Sequence, residues 1–102
     1  MAQLIVAPQA QADLDDILDY LTREAGDPVA RRYGDSFRGA FAFLTEFPRT
    51  GAPRPNFGAT MRIKTVWPYV IFYRYSADND TVRLIRILHG RRNITTKLFP
   101  PV

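Results

Sequence analysis

The chain has 102 residues, 46% of them apolar and 13% aromatic, with 14 basic against 10 acidic side chains and a formal net charge of +4. That length fits a single domain, residues 1–102, with enough apolar material for a core, although a domain of this size buries only about 60–70% of its unfolded surface and gains stability from a bound partner. With no cysteine and one histidine, His89, a disulfide framework and a thiolate metal site are excluded, zinc lacks its usual ligand set, and no cofactor is expected.

The opening run Met1-Ala2-Gln3-Leu4-Ile5-Val6-Ala7-Pro8 has no charged leader and stops too early for a signal peptide or a membrane span, so a cytoplasmic protein without membrane attachment is expected. Leu4, Ile5 and Val6 predict a first strand. Pro8 then opens a helix at a position where a missing N–H costs nothing, while Ala7, in the cap slot, brings no side-chain acceptor. Leu14, Ile17, Leu18 and Leu21 recur at i, i+3, i+4 and i+7, an apolar stripe, with Asp13, Asp15, Asp16 and Asp19 around it. Gly26 ends this helix. Asp27-Pro28 predicts an immediate restart, Asp27 as N-cap and Pro28 at the first helical position. Tyr33, Phe37, Ala40, Phe41 and Leu44 continue the helical spacing, and Phe47-Pro48 closes it. So short a link predicts an antiparallel helical hairpin. Gly34 and Gly39 weaken the second helix by up to about 1 kcal/mol each, or else admit a close neighbour.

Residues 48–58 contain Pro48, Gly51, Pro53, Pro55 and Gly58 and read as a long connector. The period then changes. Met61–Val66, Val70–Tyr75 and Val82–Leu88 are rich in β-branched and aromatic residues, separated by Trp67-Pro68-Tyr69 and by Ser76-Ala77-Asp78-Asn79-Asp80, both turn-like. These predict an antiparallel meander. Met61, Ile63 and Thr65 alternate with Arg62, Lys64 and Val66. In the last strand Val82, Leu84, Arg86 and Leu88 are expected on one face and Arg83, Ile85 and Ile87 on the other. Both faces are mainly apolar, the pattern of a central strand covered on each side. The fold class is α+β, in the order β-α-α-β-β-β, with the helical hairpin packed on the antiparallel sheet. Phe37, Phe41, Phe43, Phe47, Phe72, Tyr73 and Tyr75 are expected mostly in the core.

Charge divides along this chain. Residues 1–48 carry eight acids and four bases, net −4; residues 49–102 carry ten bases and two acids, net +8, and the sum is the stated +4. A basic carboxyl-terminal half predicts an anionic partner: nucleic acid, or an acidic protein surface or peptide.

Phe47-Pro48-Arg49-Thr50-Gly51, Arg54, Arg62, Tyr69-Val70-Ile71-Phe72-Tyr73-Arg74 and Arg86-Ile87-Leu88-His89-Gly90-Arg91-Arg92-Asn93, with Ala12-Asp13-Leu14-Asp15-Asp16-Ile17 and Tyr20 before them, resemble the ordered signature of ParE-type toxins in the ParE/RelE superfamily. Together they cover nearly the whole chain. The resemblance implies a type II toxin held inactive by a cognate, ParD-like antitoxin in a hetero-oligomer, with DNA gyrase as its target. RelE-like relatives on the same scaffold instead cut messenger RNA on the ribosome, so fold does not choose between the two; a non-toxic antitoxin-binding relative is a third reading.

RNA cleavage needs a base, an acid and cations for the phosphate. Arg62, Lys64, Arg74, Arg83, Arg86, Arg91 and Arg92 supply cations, and His89, Tyr73, Tyr75 and Glu46 are the proton-transfer candidates. RelE-like nucleases carry a tyrosine or histidine–tyrosine near the carboxyl terminus, and Ile94–Val102 has neither. The gyrase-directed reading is therefore preferred, with no assigned catalytic residue; His89 would be one only in a nuclease, and otherwise turns the chain with its imidazole bonded to backbone. The resemblance puts target binding on Arg62, Arg74, Arg86, His89, Arg91, Arg92, Asn93, Lys97 and Phe99. Leu14, Leu18, Tyr20 and Leu21 are candidates for the groove where the antitoxin lies, although packing on the sheet explains them equally well. Everything functional here requires the basic residues to form a docking surface.

Overall fold

A computed structural model describes residues 1–99; Pro100, Pro101 and Val102, the end of the Ile94–Val102 tail, lie outside the described residues. The elements are β1 (Gln3–Val6), α1 (Pro8–Ala25), α2 (Asp27–Glu46), β2 (Ala52–Pro53), β3 (Met61–Val66), β4 (Tyr69–Ser76) and β5 (Thr81–His89), with short 3-10 turns at Pro55–Phe57 and Thr96–Leu98. This is the α+β layout that the sequence predicts, two helices on a mostly antiparallel sheet.

Sheet order is β1-β5-β4-β3-β2. Two features go beyond the predicted meander. β1 joins parallel to β5, with Val6 opposite Leu84, and the connector contributes β2, which pairs with β3. The turn between β3 and β4 is tighter than expected, because Tyr69 already belongs to β4 and is buried. Gly26, at φ +90, is the hinge between the helices. The second N-cap is therefore Gly26, not Asp27, which sits inside the first turn without a side-chain cap; its charge still complements the helix dipole there.

The core has two halves. On the helix side, Leu21, Phe37, Phe41, Leu44, Tyr69, Ile71, Tyr73, Val82, Leu84 and Ile87 form one cluster, with Leu14, Ile17 and Tyr33 packed at its margin. On the other face Met61, Phe72, Ile85, Leu88 and Phe99 form a second, flanked by Phe57, Ile94 and Leu98. The carboxyl-terminal segment thus covers the sheet face that the helices leave open, and β5 is covered on both sides. Its predicted alternation fails midway. The β4–β5 register shifts between Phe72 and Tyr73, pairing Phe72 with Arg86 but Tyr73 with Leu84. The extra residue, a β-bulge, sends Ile87 to the helix side with Val82 and Leu84, and Ile85 to the tail side with Leu88.

Phe43 and Phe47 are also corrections to the expected core. Both are exposed, Phe43 beside β3 and Phe47 just past the end of α2, with their rings tilted against each other at a centroid distance of 5.0 Å, and the Lys64 ammonium lies 4.7 Å from the Phe43 centroid. Gly34 and Gly39 do not mark a close approach: a Cβ at Gly34 would meet only the Arg38 guanidinium, and one at Gly39 nothing within 4 Å. Among the described residues no helix is long and apolar enough to cross a membrane, and no group of three His, Cys, Asp or Glu side chains could hold a metal ion.

Candidate functional site

The basic residues do not form one surface; they divide between the two ends of the sheet and its interior. At one end, β5 finishes at His89 beside the β3–β4 turn. Gly90 N–H donates to the Pro68 carbonyl at 2.8 Å, and a Cβ on Gly90 would stand 3.0 Å from that oxygen, so the two turns lie against each other. His89 Nδ1 accepts the Arg91 N–H at 3.0 Å, which leaves Nε2 to carry the proton in the neutral ring. The imidazole also meets Tyr69 edge-on, centroids 5.5 Å apart. Tyr69 in turn contacts Tyr33 and Phe37. Its phenol is pushed above 10.0 by burial first and by the neighbouring hydroxyls of Tyr33 and Tyr20 second.

From this braced apex Arg91, Arg92 and Asn93 project into solvent. Trp67 stands beside them on the adjoining turn, 74% exposed. Sequence reasoning passed over Trp67, although a lone tryptophan next to a proline in a turn is a signal of a side chain left outside the core. Lys97 is exposed on the final 3-10 turn.

Arg86 and Phe99 belong to the interior. Arg86 is buried, with Nε and Nη2 donating to the two Asp13 oxygens at 2.7 and 2.9 Å and Nη1 donating to the Leu98 carbonyl at 2.7 Å. Those bonds to Asp13 raise its pKa first and outweigh the loss of water. Asp13 Oδ2 also accepts the Ile87 N–H at 2.9 Å, a backbone donor lying beyond the point where β1 stops pairing. Phe99 packs against Phe72 and Phe57 at 4.9 and 5.2 Å. These two residues fasten the tail and are withdrawn from the docking surface.

Arg62 is half-buried and engaged in a different way. Its Nη1 donates to the carbonyls of Arg49 and Gly51 at 3.0 and 2.8 Å. Tyr73 completes that clamp: its hydroxyl donates to the Pro48 carbonyl at 2.8 Å and accepts the Gly51 N–H at 2.9 Å. The long connector is thereby held as a structural loop. Arg74 lies on the opposite sheet face, beyond the far end of the tail-side cluster.

The four proton-transfer candidates do not converge. Tyr73 is fully buried with its hydroxyl engaged, and Tyr75 donates to Asp80 at 2.7 Å. Glu46 ends α2 in solvent. Tyr69 is the register partner of His89 and Tyr75 that of Val82, which separates His89 from Tyr75 by roughly 20 Å along the strands.

The four residues expected in an antitoxin groove also separate. Leu21 is buried and Leu14 packs against the helix-side core. Leu18 lines a shallow groove of about 250 Å³ between the helices with Thr22, Asp27, Ala30, Arg31, Gly34 and Arg38. Tyr20 is 52% exposed.

Residues 4–94 match the family described as the ParE toxin of type II toxin-antitoxin system, parDE. The chain belongs to the ParE toxin family. It is 32% identical over 90 residues to Toxin ParE1 of Caulobacter vibrioides, covering 88% of this chain and 91% of that one. Toxin ParE3 of the same organism is 29% identical over 98 residues, 96% of each chain. Among solved structures, the chromosomal ParDE TA system from P. aeruginosa superposes with a TM-score of 0.72 at 25% identity, covering 87% of this chain and 96% of that one. The RelBE2 toxin-antitoxin complex from Mycobacterium tuberculosis shares the fold, with a TM-score of 0.65 at 22% identity over 86% and 96% of the two chains. The ParE scaffold thus carries the sheet, both helices and the Arg91–Asn93 apex within its matched range.

Proposed function

We propose that this ParE-family toxin acts by binding a protein target, DNA gyrase, and performs no chemistry of its own. The observation that supports this is the apex: Arg91, Arg92, Asn93 and Trp67 are exposed on turns held by the Gly90–Pro68 and Arg91–His89 hydrogen bonds. A rigid aromatic side chain beside two arginines is the composition of a protein-binding hot spot, where tryptophan and arginine are enriched. Lys97 adds a further exposed cation on the carboxyl-terminal segment. A ribosome-dependent nuclease reading finds no comparable support, since its acid and base would have to act from opposite ends of the sheet. Gyrase acts on DNA in the cytoplasm, which is the location proposed here.

A cognate ParD-like antitoxin is the second proposed partner, in a toxin–antitoxin hetero-oligomer. Its place is the interhelical groove, where Leu18 offers an apolar contact between Arg31 and Arg38, which suits an acidic amphipathic segment that folds on binding. Tyr20, two residues on from Leu18, falls on a different face of α1 and lies outside this groove. Purified gyrase supercoiling assays test the first proposal: inhibition or accumulation of cleaved DNA on addition of toxin is expected, and unchanged supercoiling across a wide concentration range rejects it. Isothermal titration with the product of the neighbouring gene tests the second.

A further inference from the structure

We propose that the cleft at the Ser76–Thr81 end of the sheet is a phosphoryl-oxygen site built on Arg74 and Arg83. The two arginines are direct partners in the β4–β5 register. Both line a cleft of about 490 Å³ together with Thr60, Ser76, Asp78 and Asn79. Side chains paired across strands stand about 5 Å apart at Cβ, where like charges repel. The ion pairs among the described residues, Arg38 with Asp35 and Arg86 with Asp13, include neither of them.

Arg74 has a second source of stress. Its Nε and Nη2 are shielded from solvent and have no hydrogen-bond partner among the described residues. Buried donors in that condition are rare, since they give up water without gaining an acceptor. Gly58 belongs to the same construction: a Cβ there would stand 2.7 Å from Arg74 Nη2, so the missing side chain makes room for the guanidinium.

An oxyanion in the cleft screens the paired cations and accepts from the exposed Arg83 fork, and a shift of the Arg74 guanidinium toward it gives the shielded donors an acceptor. Arginine presents parallel N–H groups that match phosphoryl oxygens. Thr60 and Ser76 bring hydroxyls, whereas the Thr81 hydroxyl already donates to the Asn79 carbonyl at 3.0 Å. Two arginines less Asp78 leave the lining at +1, which suits a singly charged phosphoryl group. The cleft is separate from the apex, because Arg83 and His89 stand six residues apart on β5, roughly 20 Å. It does not depend on what the apex binds.

The test is a titration of the full, isotopically labelled chain with inorganic phosphate at constant ionic strength, followed by amide resonances. Saturable shifts confined to residues 58–60 and 74–83 are expected. Arg83→Gln changes an exposed side chain, so the fold is retained, and it weakens the response about tenfold or more; Arg74→Lys keeps the charge, loses the fork and weakens it likewise. A short DNA duplex is the second probe. A tighter response of the same amides to duplex identifies a nucleic-acid backbone as the source, and a tighter response to phosphate identifies a free phosphate ester; either supports the site. Equal shifts with acetate, an undiminished response in Arg83→Gln, or no shifts in the native chain overturns it.

Discussion

Asp13 and Arg86 are joined by two hydrogen bonds of 2.7 and 2.9 Å, and the same carboxylate accepts the Ile87 N–H at 2.9 Å. One side chain of α1 thereby neutralises a buried guanidinium and satisfies a strand donor that β1 is too short to reach. Arg86 passes the constraint on to the Leu98 carbonyl. Helix, sheet and tail are tied through this pair.

Removing Asp13 is consequently expected to cost more than a surface ion pair would. Asp13→Ala leaves the Arg86 charge buried and the Ile87 N–H unpaired, and breaking a buried pair from one side destabilises by about 3–5 kcal/mol. Urea unfolding measures it. Arg86→Met in the Asp13→Ala background is expected to recover part of the loss, because the orphaned charge goes with it. A cycle in which the two substitutions simply add would show that the pair is not coupled.

Tyr73 provides a test of the connector. Tyr73→Phe leaves the Pro48 carbonyl and the Gly51 N–H without their partner, an expected loss of about 1–3 kcal/mol. The pH dependence has a definite sign. Burial raises the Tyr73 pKa above 10.0, ahead of the opposing effects of the Gly51 hydrogen bond and the Arg62 charge. The folded chain therefore keeps a proton that the unfolded chain releases. Its contribution is whole below pH 10 and is lost as pH rises through the folded value. Unfolding measured from pH 8 upward should show a shallower decline in Tyr73→Phe than in the native chain, with Tyr69 and Tyr75, both also raised, contributing equally to the two.

Gly51 is the other half of that contact. A Cβ there would stand 2.3 Å from the Tyr73 hydroxyl and 2.7 Å from the Ile63 carbonyl. The second of these is strand backbone and does not yield easily. Gly51→Ala is expected to destabilise by about 1–3 kcal/mol through overpacking, whereas Gly39→Ala, open on all sides, is expected to be neutral or to stabilise by up to about 1 kcal/mol through helix propensity. Thermal unfolding of the two variants side by side decides it.

Periodicity made the scaffold legible. The stripe ending in Leu21, the Phe37–Leu44 face and the Met61/Val66 alternation all pack as their spacing requires, because each is a local pattern fixed by one element's geometry. The bulge opposite Phe72 was hidden, since no turn residue in Val82–Leu88 announces an inserted residue. The engagement of Arg86 and Arg62 within the fold is hidden for a related reason. Their acceptors are Asp13, the Leu98 carbonyl and carbonyls of the connector, and charge patterning along a chain does not reveal partners up to 73 residues away. His89 could be read correctly as a turn residue because the Gly90 beside it makes a local bond the economical outcome.

The apex carries the last prediction. Arg91 and Arg92 are exposed and make no ion pair among the described residues, and Trp67 is the most exposed aromatic side chain of the chain. Substitutions at such positions usually change stability by less than about 0.5 kcal/mol. A target contact centred there should behave otherwise, because truncating a hot-spot arginine or tryptophan costs about 2 kcal/mol or more of binding. Arg91→Ala with Arg92→Ala, and separately Trp67→Ala, are therefore expected to leave the melting temperature unchanged while raising the concentration needed to inhibit gyrase by tenfold or more. Arg62→Ala should do the reverse, since its guanidinium is engaged in holding the carbonyls of Arg49 and Gly51. If the apex variants inhibit as well as the native chain while Arg62→Ala alone weakens inhibition, the docking surface lies on the connector side of the sheet and the apex assignment fails.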